Sequence, residues 1–246
     1  MSPVNSPSLP FVRVNMAMSA DGKIATSSRS IHTFGSPRDS RHLHELRAGA
    51  DALLCGARTV EETGATMGNG GDEFTRARIA SGLAPHPIRV VVSGSASFSP
   101  HAELWQHRFS PIHLWMSGSA PAHRAQTLGL LADHVFVSPG DTVDLHAGLV
   151  SLARDFHVRS VMVEGGGGLN DSLFQAGLVD ELHLTWCPLI FGGALAPTLS
   201  DGAGTELLAN AARFHLASCE RAGDELFLVY RRGNAPHPNP LPTGPC

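Results

Sequence analysis

Short apolar runs alternate with amphipathic segments along most of the chain. Six of the apolar runs predict strands, at residues 11–19, 51–56, 88–94, 112–118, 134–138 and 160–164. Helical patterns lie between them, at residues 36–49, about 120–131, 144–156 and from the glycine run at 165 to about 177. Apolar strands that alternate with helices are typical of a largely parallel sheet covered on both faces, so the pattern indicates an α/β fold.

The helix predicted over 36–49 has the clearest boundaries. Ser36 stands at the N-cap, Pro37 at the first helical position and Asp39 three residues after the cap, a variant of the capping box. Gly49 follows as a helix-ending residue. Local signals alone therefore predict both ends of this helix.

The last third of the chain follows a different pattern. Strands are predicted at 180–190, 213–223 and 225–232, and no helix-length segment separates the last two. The sequence from Arg221 to Asp224 predicts a hairpin turn. We therefore expect a mixed, mostly parallel sheet flanked by helices, with an antiparallel C-terminal hairpin. It would form one domain over residues 11–232, between disordered segments at 1–10 and at 233–246, where five prolines occur.

The composition of the 246 residues excludes several classes of function. Hydrophobic residues make up 42% and charged residues 16%, as in ordinary globular proteins. A net charge of −4 provides no basic surface for nucleic acid, and no apolar run reaches the roughly 18 residues of a membrane span. The chain begins without a secretory signal pattern, and its four cysteines form no paired motif, so we expect a cytoplasmic protein with reduced thiols. The 14 histidines form no metal-ligand motif, and no metal site is expected.

Four consecutive glycines, Gly165–Gly168, follow a predicted strand and open a predicted helix. Glycine lets a backbone approach an anion closely, and the free N–H groups of a helix N-terminus point at it. The run does not fit the dinucleotide fingerprint, because Asn170 takes the place of its last glycine. It does not fit a P-loop either. It therefore indicates a phosphate-binding turn, with a tight turn that binds no ligand as the alternative.

Two charged residues stand in apolar surroundings. Glu164 ends a predicted buried strand, where a carboxylate needs partners. It is either held by an arginine or by backbone N–H groups, or it faces a polar ligand at the carboxyl edge of the sheet. Arg47 lies beside the apolar stripe of its helix, as part of an ion pair or as an anion-binding group.

Two further stretches have both a structural and a functional interpretation. Thr59 is either the N-cap of a short helix or a hydroxyl that contacts a ligand. In "AMSADGKIA" (17–25), the residues Ala20–Gly22 predict a turn. The small residues at the end of this first strand would alternatively leave room for a flat ring.

Together these stretches carry a family resemblance. "VNMAMSADGKIA", "ELRAGADALLCGARTV", "PIRVVVS", "VMVEGGGGLNDSLFQAGLVDELHLTWCPLIFGG" and "APTLSDG" resemble, in this order, the reductase domain of riboflavin biosynthesis. This pyrimidine reductase family has a dihydrofolate-reductase-like fold, and the resemblance covers about residues 11–232. The signature of a zinc deaminase is absent, so the chain resembles a stand-alone reductase.

The resemblance implies a reaction and a set of contacts. The family reduces 5-amino-6-(5-phosphoribosylamino)uracil to its ribitylamino form, by transfer of a hydride from NADPH to C1′ of the opened ribose, present as an imine. Glu164 and Arg47 match substrate contacts. The matching cofactor contacts are Ala17, Thr59, Gly165, Gly166, Gly167, Gly168 and Leu169. No catalytic acid or base is implied, and relatives are typically homodimers.

The chain departs from the family pattern in two places. Where the family has D-D-P-x-L-T-x-R, Thr63 and Gly64 replace the aspartates and Gly70 replaces the arginine, with Arg58, Arg76 or Arg78 as candidate substitutes. The segment "VVVSGSASFSP" lacks the family's charged residues, which leaves serines for a cofactor 2′-phosphate and does not exclude NADH. Two alternatives therefore stand beside the family reaction: reduction of another pterin- or pyrimidine-like substrate, and a catalytically silent nucleotide-binding paralogue.

Overall fold

The computed structural model describes residues 9–29 and 34–233. Within them, the strands are β1 (Phe11–Ser19), β2 (Ala52–Gly56), β3 (Ile88–Val92), β4 (Ile112–Ser117), β5 (His134–Ser138), β6 (Ser160–Val163), β7 (Glu181–Cys187), β8 (Phe214–Ala222) and β9 (Glu225–Arg232). The helices are α1 (Pro37–Ala48), α2 (Ala57–Thr63), α3 (Asp72–Ala80), α4 (Ala122–Gly129), α5 (Leu145–Phe156) and α6 (Gly167–Gln175).

All nine strands of the described residues form one sheet, in the order β5-β4-β3-β2-β6-β1-β7-β9-β8. The pairings from β5 to β7 are parallel, whereas β9 runs antiparallel to both β7 and β8. Ala222 pairs with Glu225, which leaves a two-residue turn in which Gly223 has a φ of 63°. The predicted mixed sheet and its C-terminal hairpin are confirmed.

Successive residues of the central strands face two separate cores. Leu54 on β2 packs in a core that α5 and α6 close, through side chains such as Leu149 and Leu173. Leu53 packs in the opposite core, together with Val60 of α2 and residues of α1 and α4. Because side chains alternate across a strand, a sheet with helices on both faces needs apolar residues at consecutive positions, as the sequence has.

Most predicted elements are present, and the differences have local causes. Ser36 caps α1, since its hydroxyl accepts a hydrogen bond of 3.3 Å from the Asp39 N–H. The strand predicted to reach residue 190 ends at Cys187, because Pro188 cannot donate to the ladder. The apolar pattern does not predict α3, because this short helix buries only Phe74 and a charged residue, Arg78.

The ends of the chain lie largely outside the described structure. The disorder expected for 1–10 and 233–246 concerns residues that, apart from Leu9, Pro10 and Gly233, lie outside the described ranges. In those ranges, no helix has both the length and the apolar character needed to cross a membrane.

His113 on β4 is a buried histidine that packs among aromatic rings. Its side chain packs on the rings of His134 and Phe156, with centroid distances of 5.0 and 4.4 Å. No described residue bonds its Nδ1 atom. Burial, and secondly the nearby His134, lower the pKa of His113 to about 4 from an ordinary 6.5. The folded state therefore holds this imidazole neutral.

Acid should destabilise the protein partly through His113. The unfolded chain binds this proton near pH 6.5 and the folded chain only near pH 4. The stability that neutral His113 contributes is thus fully present above pH 6.5 and is lost as the pH falls towards 4. We expect His113→Phe to reduce the loss of stability between about pH 7.5 and 5 by about 2 kcal/mol, measured by urea unfolding. His123→Gln, at an exposed position of α4, is the control, and an unchanged pH dependence in His113→Phe would contradict the assignment.

Candidate active site

A cleft of about 570 Å³ lies at the edge of the sheet where the parallel strands end. Its walls are the turn from β2 into α2, the residues that follow β3, the segment that enters α5 and the first turn of α6. In open α/β sheets, ligands bind at this edge. The residues that line the cleft include Gly56, Arg58, Thr59, Ser93, Ser95, Asp141, Gly166, Gly167, Gly168, Leu169 and Asp201.

Two of the four glycines are needed to turn the chain from β6 into α6. Gly165 and Gly166 have φ values of 81° and 90°, which disfavour other residues. The Gly165 carbonyl accepts a hydrogen bond of 3.1 Å from the Gly56 N–H, and this bond ties the end of β6 to the end of β2. Gly166 is the N-cap and has no side-chain bond to the helix, so the N-terminus of α6 opens into the cleft.

The other two glycines form the first turn of α6 and differ from each other. A Cβ at Gly167 would lie 2.6 Å from the Thr198 carbonyl oxygen, so the neighbouring loop requires a glycine there. A Cβ at Gly168 would meet only the Asp201 carbonyl oxygen, at an ordinary 3.7 Å. Internal packing therefore explains three glycines of the run, and Gly168 is the one whose small size it leaves unexplained.

Five of the seven predicted cofactor residues line the cleft: Thr59, Gly166, Gly167, Gly168 and Leu169. Thr59 is the third residue of α2, whose N-cap is Gly56, so the interpretation of Thr59 as an N-cap is wrong. Its hydroxyl oxygen would lie 2.9 Å from a Cβ at Gly166. Gly165 and Ala17 do not line the cleft; Ala17 lies on β1, paired with Thr185.

The two predicted substrate residues, Arg47 and Glu164, form an ion pair with each other. Nε and one terminal nitrogen of Arg47 donate to the two carboxylate oxygens of Glu164, at 2.5 and 2.6 Å. Both side chains are about nine-tenths buried, and Arg47 also donates to the Gly68 carbonyl oxygen at 2.5 Å. Burial opposes the charge of Arg47, but the Glu164 carboxylate outweighs it and raises the pKa of Arg47. The ion-pair interpretation is thus confirmed for both residues.

The residues at the divergent family positions have structural roles. Thr63 ends α2, where its hydroxyl donates to the Thr59 carbonyl oxygen at 2.7 Å, and Gly64 follows in a left-handed conformation with φ of 63°. Arg78 is 1% exposed and donates to backbone carbonyls, including those of Arg47 and Ala50, so it is not available to bind a phosphate group. Of the three candidate substitutes, Arg58 lines the cleft.

Two polar residues at this edge of the sheet are not among the predicted site residues. Ser93 follows β3 and lines the cleft, is 5% exposed, and its hydroxyl has no partner in the described part of the chain. Asn15 on β1 is 8% exposed, and its Oδ1 atom is likewise unpartnered there. Val14 pairs with Val163, so Asn15 lies beside Glu164. In the sequence, a polar asparagine within an apolar strand is the signal that could have identified Asn15 as a site residue.

Metal binding receives no support from the described residues, since no group of three His, Cys, Asp or Glu side chains is arranged to hold an ion. The site therefore consists of a cleft lined by backbone, hydroxyl groups and charged side chains of both signs, such as Arg58 and Asp141, with a buried ion pair at the end of β6. Such a site can bind and orient a ligand.

Comparisons with known proteins agree with this arrangement. The model of the RibD C-terminal domain matches residues 10–228. The 2,5-diamino-6-ribosylamino-4(3H)-pyrimidinone 5′-phosphate reductase of Methanothermobacter thermautotrophicus is 35% identical over 221 residues, which cover 90% of this chain and 97% of that protein. A pyrimidine reductase-like protein of Corynebacterium diphtheriae has a similar structure, with a TM-score of 0.75, 24% identity, and coverage of 92% of this chain and 93% of that one.

The fold extends to a more distant protein. A dihydrofolate reductase of Enterococcus faecalis, complexed with NADP(H), matches with a TM-score of 0.50 and 12% identity, over 91% of this chain and 97% of that one. The fold is therefore dihydrofolate-reductase-like, and the chain is an oxidoreductase that belongs to the RibD C-terminal domain family.

Proposed function

We propose that the protein uses NADPH to reduce the phosphoribosylamino group of a pyrimidine to the ribitylamino form, in riboflavin biosynthesis. The observation that carries this proposal is the proximity of two features at one edge of the sheet. The N-terminus of α6 opens into the cleft, and the Arg47–Glu164 pair lies directly before it, at the end of β6. One feature suits a dinucleotide and the other a polar substrate.

The cleft fits a dinucleotide cofactor. The first N–H groups of α6 are free to bind a pyrophosphate, and Gly168 leaves space for its approach. Thr59 and Leu169 line the same wall, and a ligand could provide the partner that the Ser93 hydroxyl lacks among the described residues. NADPH, when bound, supplies the hydride that reduces C1′ of the opened ribose. NADH would fit the same backbone cradle, so the preference between the two cofactors is part of the proposal.

The substrate would bind near β1 and β6. Glu164 and Arg47 hold each other in a fixed orientation. Beside Glu164, the Oδ1 atom of Asn15 has no partner in the described ranges and is a further acceptor. The relative from Methanothermobacter is named for a 2,5-diaminopyrimidinone phosphate, whereas the family resemblance implies the corresponding 5-aminouracil. Both compounds carry the same phosphoribosylamino group, and they differ at C2 of the ring.

A second candidate is the reduction of another pterin- or pyrimidine-like substrate. Two observations favour it. Thr63 and Gly64 end α2 where the family has two aspartates. The Arg78 side chain donates its hydrogen bonds to backbone carbonyls. A substrate without a sugar phosphate would not need the missing groups.

A cofactor titration and a turnover assay on the purified chain test these alternatives together. We expect NADPH to bind, and its absorbance band to disappear when either pyrimidine phosphate is added. Binding of NADPH without oxidation by either compound would reject the family reaction and leave the second candidate or a silent paralogue. Absence of cofactor binding would reject the reductase proposal altogether.

We propose that residues 11–232 form one reductase domain. The chain would act as a homodimer in the cytoplasm. The family resemblance suggests the dimer, and exposed apolar side chains on β7 and the loop after it suit a subunit contact. They are Trp186, Leu189, Ile190 and Leu195, of which Leu195 is 90% exposed. Light scattering on the purified protein should give twice the chain mass, and a monomer would contradict the dimer.

A further inference from the structure

We infer that the segment Thr66–Asn69 positions Arg47 for the substrate, through a left-handed turn at Met67. This role rests on the proposed function, because Arg47 belongs to the ion pair that is proposed to contact the pyrimidine. Met67 and Gly68 stand where the family has the Leu-Thr of D-D-P-x-L-T-x-R. The segment would thus keep a structural task although the charged residues of that pattern are missing.

The guanidinium of Arg47 is held from two directions. Nε and one terminal nitrogen donate to Glu164, and the other terminal nitrogen donates to the Gly68 carbonyl oxygen. The two bonds to Glu164 alone would let both side chains shift together, whereas a bond to a fixed backbone carbonyl sets the plane of the guanidinium. An arginine side chain has five N–H donors, so two of them remain to face a ligand in one defined orientation.

The chain reaches Gly68 through a residue in an unfavourable conformation. Met67 has a φ of 56°, in the left-handed region that bulky residues rarely adopt. Its side chain is 1% exposed and packs in the same core as Val60 and Leu53. Such a conformation persists only where the surroundings enforce it, and it is found most often at functional sites. Met67 is therefore a candidate for a role beyond filling the core.

Buried polar side chains fix the chain on both sides of Met67. The Thr66 carbonyl oxygen accepts a hydrogen bond of 3.1 Å from Arg89, which is 0% exposed. The Asn69 amide nitrogen donates to a hydroxyl on α3 and to a carbonyl oxygen after α3, each at 2.9 Å, and Asn69 is 3% exposed. Burial of a guanidinium and an amide costs free energy, which these bonds offset. The result is a rigid segment that presents the Gly68 carbonyl to Arg47.

The same region of the chain also holds the backbone of Arg47. Arg78 on α3 donates a hydrogen bond of 2.9 Å to the Arg47 carbonyl oxygen, at the end of α1. The stretch from Thr66 to Arg78 therefore contacts Arg47 at both its main chain and its guanidinium. With the main chain fixed by Arg78, the turn at Met67 determines where the guanidinium lies.

Two substitutions of equal size at Met67 test this role. Leucine and isoleucine both conserve the buried volume, but the β-branched isoleucine tolerates a positive φ far less. The probe is 5-amino-6-(5-phosphoribitylamino)uracil, the product of the family reaction, and its affinity is measured by calorimetry. We expect Met67→Leu to bind it as the wild-type chain does, and Met67→Ile to bind it at least about tenfold more weakly. NADPH affinity should stay within about twofold in both variants.

Nitrogen-15 NMR reports on Arg47 itself, without any ligand. The Nε–H signal of Arg47, assigned by its absence in Arg47→Lys, should exchange slowly with solvent in the wild-type chain and in Met67→Leu. In Met67→Ile the exchange should be at least about tenfold faster. Met116→Ile makes the same change in the same core, on strand β4, where a β-branched residue is favoured. It should leave the exchange rate and the product affinity unchanged.

Wild-type exchange and wild-type product affinity in folded Met67→Ile would overturn the inference while the proposed function stands. Equal losses in Met116→Ile would also overturn it, because core packing and not the turn would then position Arg47. If the wild-type chain does not bind the product, the proposed function fails. The role for substrate then fails with it, even where the exchange rates show that the turn holds Arg47.

Discussion

Replacing Glu164 with alanine should abolish turnover and lower the free energy of unfolding by about 3–5 kcal/mol. The reason is the buried arginine that remains. Arg47 would keep its charge among buried groups, and the Gly68 carbonyl oxygen would be its remaining hydrogen-bond partner in the described part of the chain. The loss would be far larger than for an exposed pair such as Arg41–Glu45, where Glu45→Gln should cost at most about 1 kcal/mol.

Glu164→Gln separates the stability of the pair from its proposed contact with substrate. Glutamine retains the shape and one acceptor oxygen, so this variant should fold, and NADPH should bind within about twofold of the wild-type affinity. Turnover should still fall by on the order of 100-fold, because a displaced Arg47 and a neutral side chain no longer orient the substrate. Cofactor titration and steady-state kinetics on the folded variant measure the two effects. A collapse of NADPH affinity with turnover otherwise retained would show that Glu164 belongs to the cofactor and not to the substrate.

Gly168→Ala should have the opposite profile, with a stable fold and weak cofactor binding. The added Cβ has room in the free protein, and alanine favours a helix over glycine, so stability should be unchanged or up to about 1 kcal/mol higher. In the bound state the same methyl group would stand between the backbone of α6 and a phosphate, and we expect at least about tenfold weaker NADPH binding. Thermal unfolding and calorimetric titration provide the two measurements.

Gly167→Ala is the matched comparison within the same helical turn. Its Cβ would collide with the Thr198 carbonyl oxygen, so this variant should lose about 1–3 kcal/mol of stability. If Gly168→Ala binds NADPH as tightly as the wild-type chain, then the glycine run serves the packing of the turn alone. The phosphate-binding interpretation of these residues would then be wrong.

The sequence predicts the fold well because its signals are local. The apolar runs, the capping residues around Ser36 and the turn at Gly223 each act within a few residues, and each is present in the structure. The missed helix α3 shows the limit of such signals. It is anchored by Arg78, whose guanidinium binds the carbonyls that end α1, and no apolar periodicity marks that role.

The site is less predictable because its determinants are distant along the chain. Arg47 and Glu164 are 117 residues apart, and each alone has two interpretations. Only the fold shows that each is the partner of the other. The four glycines of the run are identical in the sequence, but the fold gives them different roles: a left-handed turn, a close contact with Thr198 and an open wall of the cleft. The sequence offers the serines after β3 only as a group, and the structure is needed to show that the Ser93 hydroxyl is buried and has no partner in the described residues.

The most direct test of the proposed reaction follows the hydride itself. The protein is incubated with a phosphoribosylamino pyrimidine and NADPH that carries deuterium at the transferable position of the nicotinamide. Mass spectrometry of the product should then find one deuterium, located at C1′ of a ribityl side chain. A reduced product without deuterium at C1′, or consumption of the cofactor without a ribityl product, would contradict the proposed function.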